Sequence, residues 1–426
     1  MELILLVALL FILLACGVPV AFSLGFASLA MFFMLDIPAI VAFQQMTAGM
    51  NVFSLMAIPF FVFAGELMAR TGIASRIVEI AEAAFGRSRG GLGQVTVGAS
   101  LMFGAVSGSA AASVSAMGST LMPMMRERNY DADYAVNVTV TAAILGILIP
   151  PSHNMVLYAV SAPVGVSVGD LFLAGILPGL LATAALMFTA WLVAARRHYP
   201  RGSFPGWRVF LRTLVLATPG FLTALIIVVG ILAGIFTPTE SSAIAVVYTI
   251  LIGLLVYRSL GWARFREAVD GAVRTTAMIM LIIGAAGMFG WLFALLDGPG
   301  AMAGLLTAAS GNPQVILFLI LVILLILGAF IDMATLIVIM TPILLPVAVK
   351  VGIDPVHFGV VMMLSLGIGL VTPPVGAVLF LGCAVGRIPP EQAVRTIWPF
   401  YLALGAVLLV VTYVPALSLW LPGALR

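Results

Sequence analysis

The sequence predicts an all-α membrane protein with about ten to twelve transmembrane segments and two re-entrant helical hairpins arranged as an inverted repeat. Of its 426 residues, 63% are hydrophobic and only 8% are charged, whereas soluble proteins carry about 25% charged residues. Apolar runs of about 20 residues, the length of a membrane-spanning helix, recur along the chain. The proline and glycine spacing of the first half also returns in the second. These observations exclude a separate soluble domain, and a formal charge of +3 gives no indication of nucleic-acid binding.

Long apolar runs give the positions of the spans in chain order. The first span is expected to bend at Gly17 and Pro19. It is expected to remain uncleaved, because the first basic residue is Arg70 and a secretory signal needs a basic N-terminal region. The predicted spans are 2–35, 50–69, 134–162, 171–195, 213–233, 238–257, 275–296, 356–386 and 397–421.

Two further stretches do not fit a single crossing. Residues 91–125 (hairpin 1) and 313–349 (hairpin 2) are each about 35 residues long, and a straight helix of that length spans about 52 Å, whereas the membrane core is about 30 Å thick. Small residues interrupt hairpin 1 at 104–109, and a Gly-to-Asp segment interrupts hairpin 2 at 328–332. Each stretch is therefore predicted to form two half-length helices that meet at a tip.

The distribution of basic residues predicts that the hairpins open to opposite sides. All basic residues except Lys350 and Arg426 fall in loops that can lie together in the cytoplasm, as the positive-inside rule requires. This arrangement holds only if hairpin 1 enters from the cytoplasm and hairpin 2 from the other side. The loops 163–170 and 297–312, which then lie outside, contain no Lys or Arg.

An internal repeat agrees with this topology. The distance from Pro123 to the first double proline, at 150–151, equals the distance from Pro346 to the second, at 373–374. Inverted repeats with broken helices are the plan of many secondary transporters, which bind their cargo where the repeats meet.

The repeat divides the chain into four predicted parts. Residues 1–90 hold N-terminal scaffold spans, and residues 91–195 hold the first transport repeat with hairpin 1 and a broken helix. Residues 196–274 form a connecting arm and scaffold spans. Residues 275–426 hold the second transport repeat with hairpin 2 and its broken helix.

Three features carry possible chemistry, each with a purely structural alternative. The double prolines at 150–151 and 373–374 break a helix and free carbonyls that can bind a cation; the alternative is an ordinary kink. Asp332 is a carboxylate in the most apolar stretch of the chain, which favours a functional site, and it also suits a helix cap. Ser107 and Ser109 lie among glycines, which lets a ligand approach closely, but small residues also permit tight helix packing.

Other patterns indicate structure and argue against an enzyme. Thr237–Glu240 is typical of a capping box that begins a helix. The three histidines are scattered without metal-ligand spacing, and the chain contains no nucleotide-binding loop. Ser107 and His153 do not stand in a protease motif, so the sequence predicts no catalytic residues.

Seven segments, in order along nearly the whole chain, resemble the large membrane subunit of tripartite ATP-independent periplasmic (TRAP) transporters. They are Ala57–Met68 (AIPFFVFAGELM), Phe103–Ser109 (FGAVSGS), Ile149–Ser152 (IPPS), Gly169–Gly175 (GDLFLAG), Phe236–Glu240 (FTPTE), Gly352–Gly359 (GIDPVHFG) and Gly369–Gly376 (GLVTPPVG). The family often has hydroxylic residues shortly before the first double proline, where this chain has Ala142, Ala143 and Ile144. Backbone carbonyls near Gly146 and Ile149 are then the ligands available for a cation at the first site.

The resemblance implies an elevator-type carrier of the bacterial inner membrane, similar to the ion-transporter superfamily. It implies Na⁺ coupling and two partners, a periplasmic substrate-binding protein and a small four-span membrane subunit that is not fused to this chain. Family substrates are small organic acids: dicarboxylates, keto acids and sugar acids. A stand-alone sodium/anion symporter of similar hairpin architecture remains the alternative, and a neighbouring gene for a binding protein would decide between them.

The hairpin tips and the resemblance together give three candidate groups of site residues. The first Na⁺ site comprises Ser107, Ser109, Gly146 and Ile149. The second Na⁺ site comprises Gly328, Asp332, Thr335, Thr372 and Pro373. The substrate site comprises Ser109, Ser113, Pro151, Ser152, Thr335 and Pro374.

Overall fold

The computed structural model describes residues 1–202, 206–309 and 312–425. Within them the chain is helical, and its only β-type pairing is one isolated bridge between Arg89 and Arg201. The N-terminal helices are α1 (Glu2–Ala15), α2 (Val20–Met34), α3 (Ala39–Met50), α4 (Ala57–Arg70) and α5 (Ile73–Phe85). The break predicted in the first span is present, because Gly17 adopts a φ of 80° between α1 and α2. Helices α3 and α5 were not predicted from the sequence.

Hairpin 1 and a broken helix follow. The next helices are α6 (Gly91–Ser107), α7 (Ala110–Glu127), α8 (Ala132–Ala143), α9 (Leu145–Leu148), α10 (His153–Ser161) and α11 (Val168–Arg196). The connecting helices are α12 (Trp207–Leu232), α13 (Pro238–Leu251), α14 (Trp262–Leu295) and α15 (Gly298–Ala309). The predicted capping box begins α13, where the Thr237 backbone N–H donates to Glu240 Oε2 at 2.8 Å and the Glu240 N–H donates to Thr237 Oγ1 at 3.2 Å.

The second repeat has the same plan. Its helices are α16 (Pro313–Gly328), α17 (Met333–Lys350), α18 (Pro355–Gly369), α19 (Ala377–Gly386), α20 (Pro390–Thr396), α21 (Trp398–Tyr413) and α22 (Ala416–Ala424). Helices α6 and α7 form hairpin 1, and α16 and α17 form hairpin 2. Each double proline lies between two helices, as predicted: the first between α9 and α10, the second between α18 and α19.

Several of these helices are suited to a membrane. Among the described residues, six helices are long and apolar enough to cross it, and up to eight if each of two bent pairs is one span. The pair formed by α8–α9 and α10 bends by 51°, and the pair formed by α20 and α21 bends by 61°. Six more apolar helices, among them α6, α16, α18 and α19, have only 10–17 residues. The all-α membrane fold predicted from the sequence is confirmed, and the hairpins and broken helices account for much of its apolar length.

The two repeats pack with approximate two-fold symmetry. The first arm of each hairpin packs on the broken helix of its own repeat, α6 on α9 and α16 on α18. The second arm packs on the later half of the other repeat's broken helix, α7 on α19 and α17 on α10. The broken helices also pack on each other in antiparallel fashion, since a Cβ at Gly382 would lie 2.1 Å from Val140 and one at Gly386 would lie 2.3 Å from Val136. This interlocking makes the two repeats one packed body.

Each hairpin contacts its own broken helix through a pair of glycines. A Cβ at Gly104 would lie 2.3 Å from the Cα of Gly146, and a Cβ at Gly369 would lie 2.5 Å from the carbonyl carbon of Gly328. Distances below 3.0 Å leave no room for any side chain, so the backbones are in direct contact. The equivalence of the two pairs supports the internal repeat.

A polar cluster joins the end of α11 to the start of α8. The Arg197 guanidinium donates to Asp131 and Asp133, with both nitrogen–oxygen distances at 2.9 Å. The Tyr199 hydroxyl donates to Asp131 Oδ2 at 2.6 Å. Burial raises the pKa of Tyr199 to about 12, so this hydroxyl keeps its proton at neutral pH. The cluster fixes the exit of the first repeat to its own broken helix.

The glycine contacts lead to a stability prediction. Gly104→Ala and Gly369→Ala should each lower the free energy of unfolding by about 1–3 kcal/mol, the usual cost of overpacking a well-packed contact. The matched control is Gly405→Ala in α21, where a Cβ meets nothing within 4 Å and alanine should stabilise the helix by about 0.5–1 kcal/mol. Thermal unfolding of the purified variants measures both effects. Equal melting temperatures for all three would contradict the close backbone approach.

Candidate functional site

The tip of hairpin 1 is a short turn built from small residues. Gly108 ends α6 with a φ of 62°, a conformation that a residue without a Cβ adopts at little cost. Ser109 then begins α7, and its hydroxyl accepts the N–H of Ala112 at 3.4 Å. The Ser107 hydroxyl accepts the N–H of Ser109, also at 3.4 Å. The two serines singled out in the sequence therefore lie side by side at the tip.

This tip lies directly on the first double proline. A Cβ at Gly108 would lie 2.8 Å from the Pro151 carbonyl oxygen and 3.3 Å from the Cα of Ser152. The prolines at 150 and 151 have no N–H to donate to the carbonyls of Gly146 and Ile147, which a continuous helix would bond. The structure thus brings Ser107 and Ser109 of the first candidate Na⁺ site close to Pro151 and Ser152 of the candidate substrate site.

The tip of hairpin 2 meets the second double proline through a hydrogen-bonded carbonyl. The Ala329 carbonyl accepts the N–H groups of Val375 at 3.1 Å and Gly376 at 3.2 Å. Gly328 precedes this carbonyl, so it lies beside the segment that contains Pro373 and the exposed Pro374. Both double prolines contain a cis peptide bond. The two halves therefore place a tip against a break in the same way but with different contacts.

Asp332 and Thr372 both make local hydrogen bonds at the second tip. Asp332 begins α17, and its Oδ2 accepts the N–H of Ala334 at 3.0 Å. The side chain therefore caps the helix, as the structural alternative predicted. Among the described residues, the Asp332 carboxylate takes part in no ion pair. The Thr372 hydroxyl donates to the Ile368 carbonyl at 2.7 Å and lies beside the Tyr401 hydroxyl. Thr335 is buried in the first turn of α17.

Four half-helices begin around this centre. Tip contacts join the start of α7 to that of α10 and the start of α17 to that of α19. Helix packing joins α10 to α17 and α19 to α7. The N-terminus of a helix carries a partial positive charge and free N–H groups. The arrangement, which we call the N-terminal ring, can therefore bind an anion with no basic side chain.

Two buried serines in the first half have unused hydroxyl groups. The side chains of Ser113 and Ser152 are fully buried, and neither Oγ has a hydrogen-bond partner among the described residues. Ser152 precedes α10 but does not cap it, and the Ser113 Oγ would lie 3.5 Å from a Cβ at Gly146. An unpaired buried hydroxyl is costly, so these two groups favour a polar ligand at this point.

The remaining candidates lie near the same centre. Gly146 is buried beside Ser113 and Gly104, whereas Ile149 is partly exposed at the end of α9. Two groups at the second tip were not predicted from the sequence: the Ala329 carbonyl and the Tyr401 hydroxyl, which donates to the carbonyl of Val371. A backbone acceptor has no sequence signal, and Tyr401 lies in a separate helix, so neither was predictable from spacing.

Comparison with known proteins agrees with this architecture. The family described as "Tripartite ATP-independent periplasmic transporter, DctM component" matches residues 7–417. The sialic acid TRAP transporter large permease protein SiaM of Vibrio cholerae is 40% identical over 96% of both chains. The C4-dicarboxylate TRAP transporter large permease protein DctM of Rhodobacter capsulatus is 36% identical over the full length of both.

A solved structure shows the same fold at much lower sequence similarity. The Alcanivorax borkumensis YdaH transporter superposes with a TM-score of 0.60 at 15% identity, covering 90% of this chain and 88% of its own. The family match over residues 7–417 and the two relatives identify the family of the chain as well as its fold. The chain belongs to the DctM-component family, and so it is the large permease subunit of a TRAP transporter in the bacterial inner membrane and not an enzyme.

Proposed function

We propose that this subunit carries out Na⁺-coupled uptake of a small organic acid that a periplasmic substrate-binding protein delivers. A tripartite transporter implies two further components, and we infer that they are this binding protein and a small four-span membrane subunit. The relatives named above act on sialic acid and on C4-dicarboxylates. Their cargo is acidic in both cases, which supports a dicarboxylate, keto acid or sugar acid here.

The observation that carries the proposal is the N-terminal ring with its two unpaired serine hydroxyls. Helix N-termini bind carboxylates well in transporters built from broken helices. The hydroxyls of Ser113 and Ser152 lack partners in the same region, and each could donate a hydrogen bond to a carboxylate. Ser109, Pro151, Thr335 and Pro374 complete the proposed substrate site. An acid can therefore be bound without an arginine or lysine in the membrane interior.

The carboxylate of Asp332 is the reason to propose a bound cation. It lies at the start of α17 near the proposed anion site and takes part in no ion pair among the described residues. A Na⁺ ion at Asp332 would neutralise that charge and reduce its repulsion of the substrate, which couples the two bindings. Hard cations prefer oxygen ligands, and the Thr372 hydroxyl and carbonyls near Gly328 and Pro373 are such ligands.

A first Na⁺ site is proposed in the other repeat. Ser107 and Ser109 offer hydroxyl oxygens at the tip of hairpin 1. The carbonyls of Gly146 and Ile147 lack the helical N–H donors that the prolines replace, and Ile149 supplies a further carbonyl close by. The two proposed Na⁺ sites are related by the repeat, and the substrate lies between them.

The proposed movement is of the elevator type. The two hairpins and the two broken helices interlock, which favours their movement as one body that carries the ring across the membrane. The first 90 residues and the connecting helices would then serve as scaffold and arm.

Reconstitution tests the whole proposal. The large subunit, the small subunit and the binding protein are inserted into liposomes, and uptake of succinate, pyruvate and gluconate is measured with and without an inward Na⁺ gradient. We expect uptake of at least one acid that requires both the gradient and the binding protein. Uptake independent of Na⁺, or undiminished without the binding protein, would refute the proposal and favour another carrier class.

Asp332→Asn separates a Na⁺ ligand from a helix cap. Asparagine caps a helix about as well as aspartate, so a pure cap predicts no change. Loss of a charged ligand should raise the Na⁺ concentration for half-maximal uptake by about tenfold, equivalent to about 1.4 kcal/mol. The matched control is Asp354→Asn, because Asp354 caps α18 in the same way, accepting the N–H of Val356 at 2.8 Å. An identical Na⁺ dependence in both variants would leave Asp332 only its structural role.

Ser152→Ala tests the unpaired hydroxyl. Removing a buried group without a partner should leave the melting temperature unchanged or raised. The half-saturating substrate concentration should rise by about fivefold, as expected for loss of about 1 kcal/mol of hydrogen bonding. Ser28→Ala is the control, because the Ser28 hydroxyl is also buried and unpaired but lies in α2. A similar effect on transport in both variants would show that Ser152 has no special role.

A further inference from the structure

A polar cavity lies outside the N-terminal ring, between the C-terminal parts of α7 and α19. Its volume is about 500 Å³, and its walls include Ser119 and Pro123 of α7 and Val385 of α19. Arg126, Glu127 and Arg387 also line it. The arginine distribution that orients the chain puts this end of both helices on the cytoplasmic side. The cavity therefore opens toward the compartment into which substrate is released.

The cavity carries a net positive charge. Arg126 donates to the Gly386 carbonyl at 2.8 Å, which satisfies an acceptor at the end of α19 and holds the two helices together. The backbone N–H of Arg387 donates to the Ala384 carbonyl at 3.3 Å, but the Arg387 side chain forms no hydrogen bond or ion pair with any residue that the structure describes. Glu127 forms no ion pair with either arginine there. Two guanidinium groups and one carboxylate thus face one space, and one guanidinium is free.

The backbone at Arg387 gives an independent reason to expect a function. Arg387 follows the last residue of α19 with φ 55° and ψ 45°, the left-handed conformation. Glycine or asparagine adopts this conformation more easily at the end of a helix. A long charged side chain at this position therefore costs stability, and such a cost is typical of a residue with a functional role.

The same two helices lead from the N-terminal ring to this cavity. Helix α7 begins at the tip of hairpin 1 and α19 begins after the second double proline. The cavity starts at Gly118, nine residues beyond Ser109, which is about 14 Å along α7 at 1.5 Å per residue. The cavity therefore lies on the cytoplasmic side of the ring, and a molecule that moves from the ring along this pair of helices meets the two arginines before it reaches the cytoplasm.

We propose that this cavity is a second binding site for the transported organic acid, occupied after release from the N-terminal ring, with Arg387 as its main anion ligand. The proposal rests on the proposed function, because it takes the cargo to be an acid that moves inward. A guanidinium pairs with a carboxylate through two parallel hydrogen bonds. The exposed position keeps this binding weak, as release requires.

The test is a direct binding measurement that needs no transport. Cys16 and Cys383 are replaced by Ser and Ala, and Ser119→Cys introduces one thiol in the cavity. The assembled large and small subunits are placed in phosphatidylcholine vesicles. The labelling rate of the thiol by an anionic methanethiosulfonate is measured with and without succinate, and with uncharged succinamide as the neutral control. We expect succinate, and not succinamide, to slow labelling.

Arg387→Asn is the decisive variant. Asparagine suits the left-handed backbone, so the melting temperature should be unchanged or raised, while the succinate concentration that half-protects the thiol should rise by about fivefold. Arg395→Gln removes the same charge from α20 outside the cavity and should leave protection unchanged. Protection that is absent, or equally weakened by both variants, would overturn the proposal.

Two further outcomes are informative. If succinate fails to protect but added phosphatidylglycerol slows labelling in an Arg387-dependent manner, the cavity binds a lipid headgroup and the substrate assignment is wrong. If Na⁺-driven uptake fails while succinate protection requires Arg387, the binding of an organic acid in the cavity is upheld and the Na⁺ coupling of the proposed function is refuted.

Discussion

The direct contact of backbones at two glycine pairs is the constraint on which the rest of the structure depends. Gly104 meets Gly146 and Gly328 meets Gly369 with no space for a side chain, so each hairpin tip is fixed against the break in its own repeat. Because the breaks are fixed, the four half-helices must begin around one centre. Packing between α7 and α19, and between α10 and α17, then closes the N-terminal ring. The candidate site is thus produced by backbone geometry before any side chain contributes.

The membrane interior explains why the centre is built this way. Backbone that leaves the helix in a membrane must find partners within the protein, and the Ala329 carbonyl meets this need by accepting two N–H groups from the segment after the second double proline. A buried arginine would be expensive in the same place, whereas helix N-termini supply positive potential from the peptide groups themselves. The two repeats also differ in their caps, since a hydroxyl group caps hairpin 1 (Ser109) and a carboxyl group caps hairpin 2 (Asp332). This asymmetry gives a symmetric scaffold one position suited to a cation.

The parts of the fold that depend on local backbone chemistry were predictable from the sequence. The positions of proline and glycine predicted both hairpins and both helix breaks. The run Thr237–Glu240 predicted a helix cap, which the structure confirms. Helix α5 was not predicted because it is amphipathic, and its charged residues interrupt the apolar run by which a membrane span is recognised. The hydroxyls of Ser113 and Ser152 were named as candidates, but their lack of partners depends on tertiary packing and has no sequence signal. The roles assigned to the site residues and to Na⁺ stay predictions.

The central claim is that two oppositely oriented hairpins meet at one centre, and the sidedness of their open ends tests it most directly. After replacement of Cys16 and Cys383, single cysteines are introduced as Arg89→Cys, before hairpin 1, and Asn312→Cys, before hairpin 2. A membrane-impermeant thiol reagent is then applied to sealed vesicles of known orientation. The account predicts labelling of position 89 only from the cytoplasmic side and of position 312 only from the periplasmic side. Labelling of both from the same side would contradict the inverted arrangement.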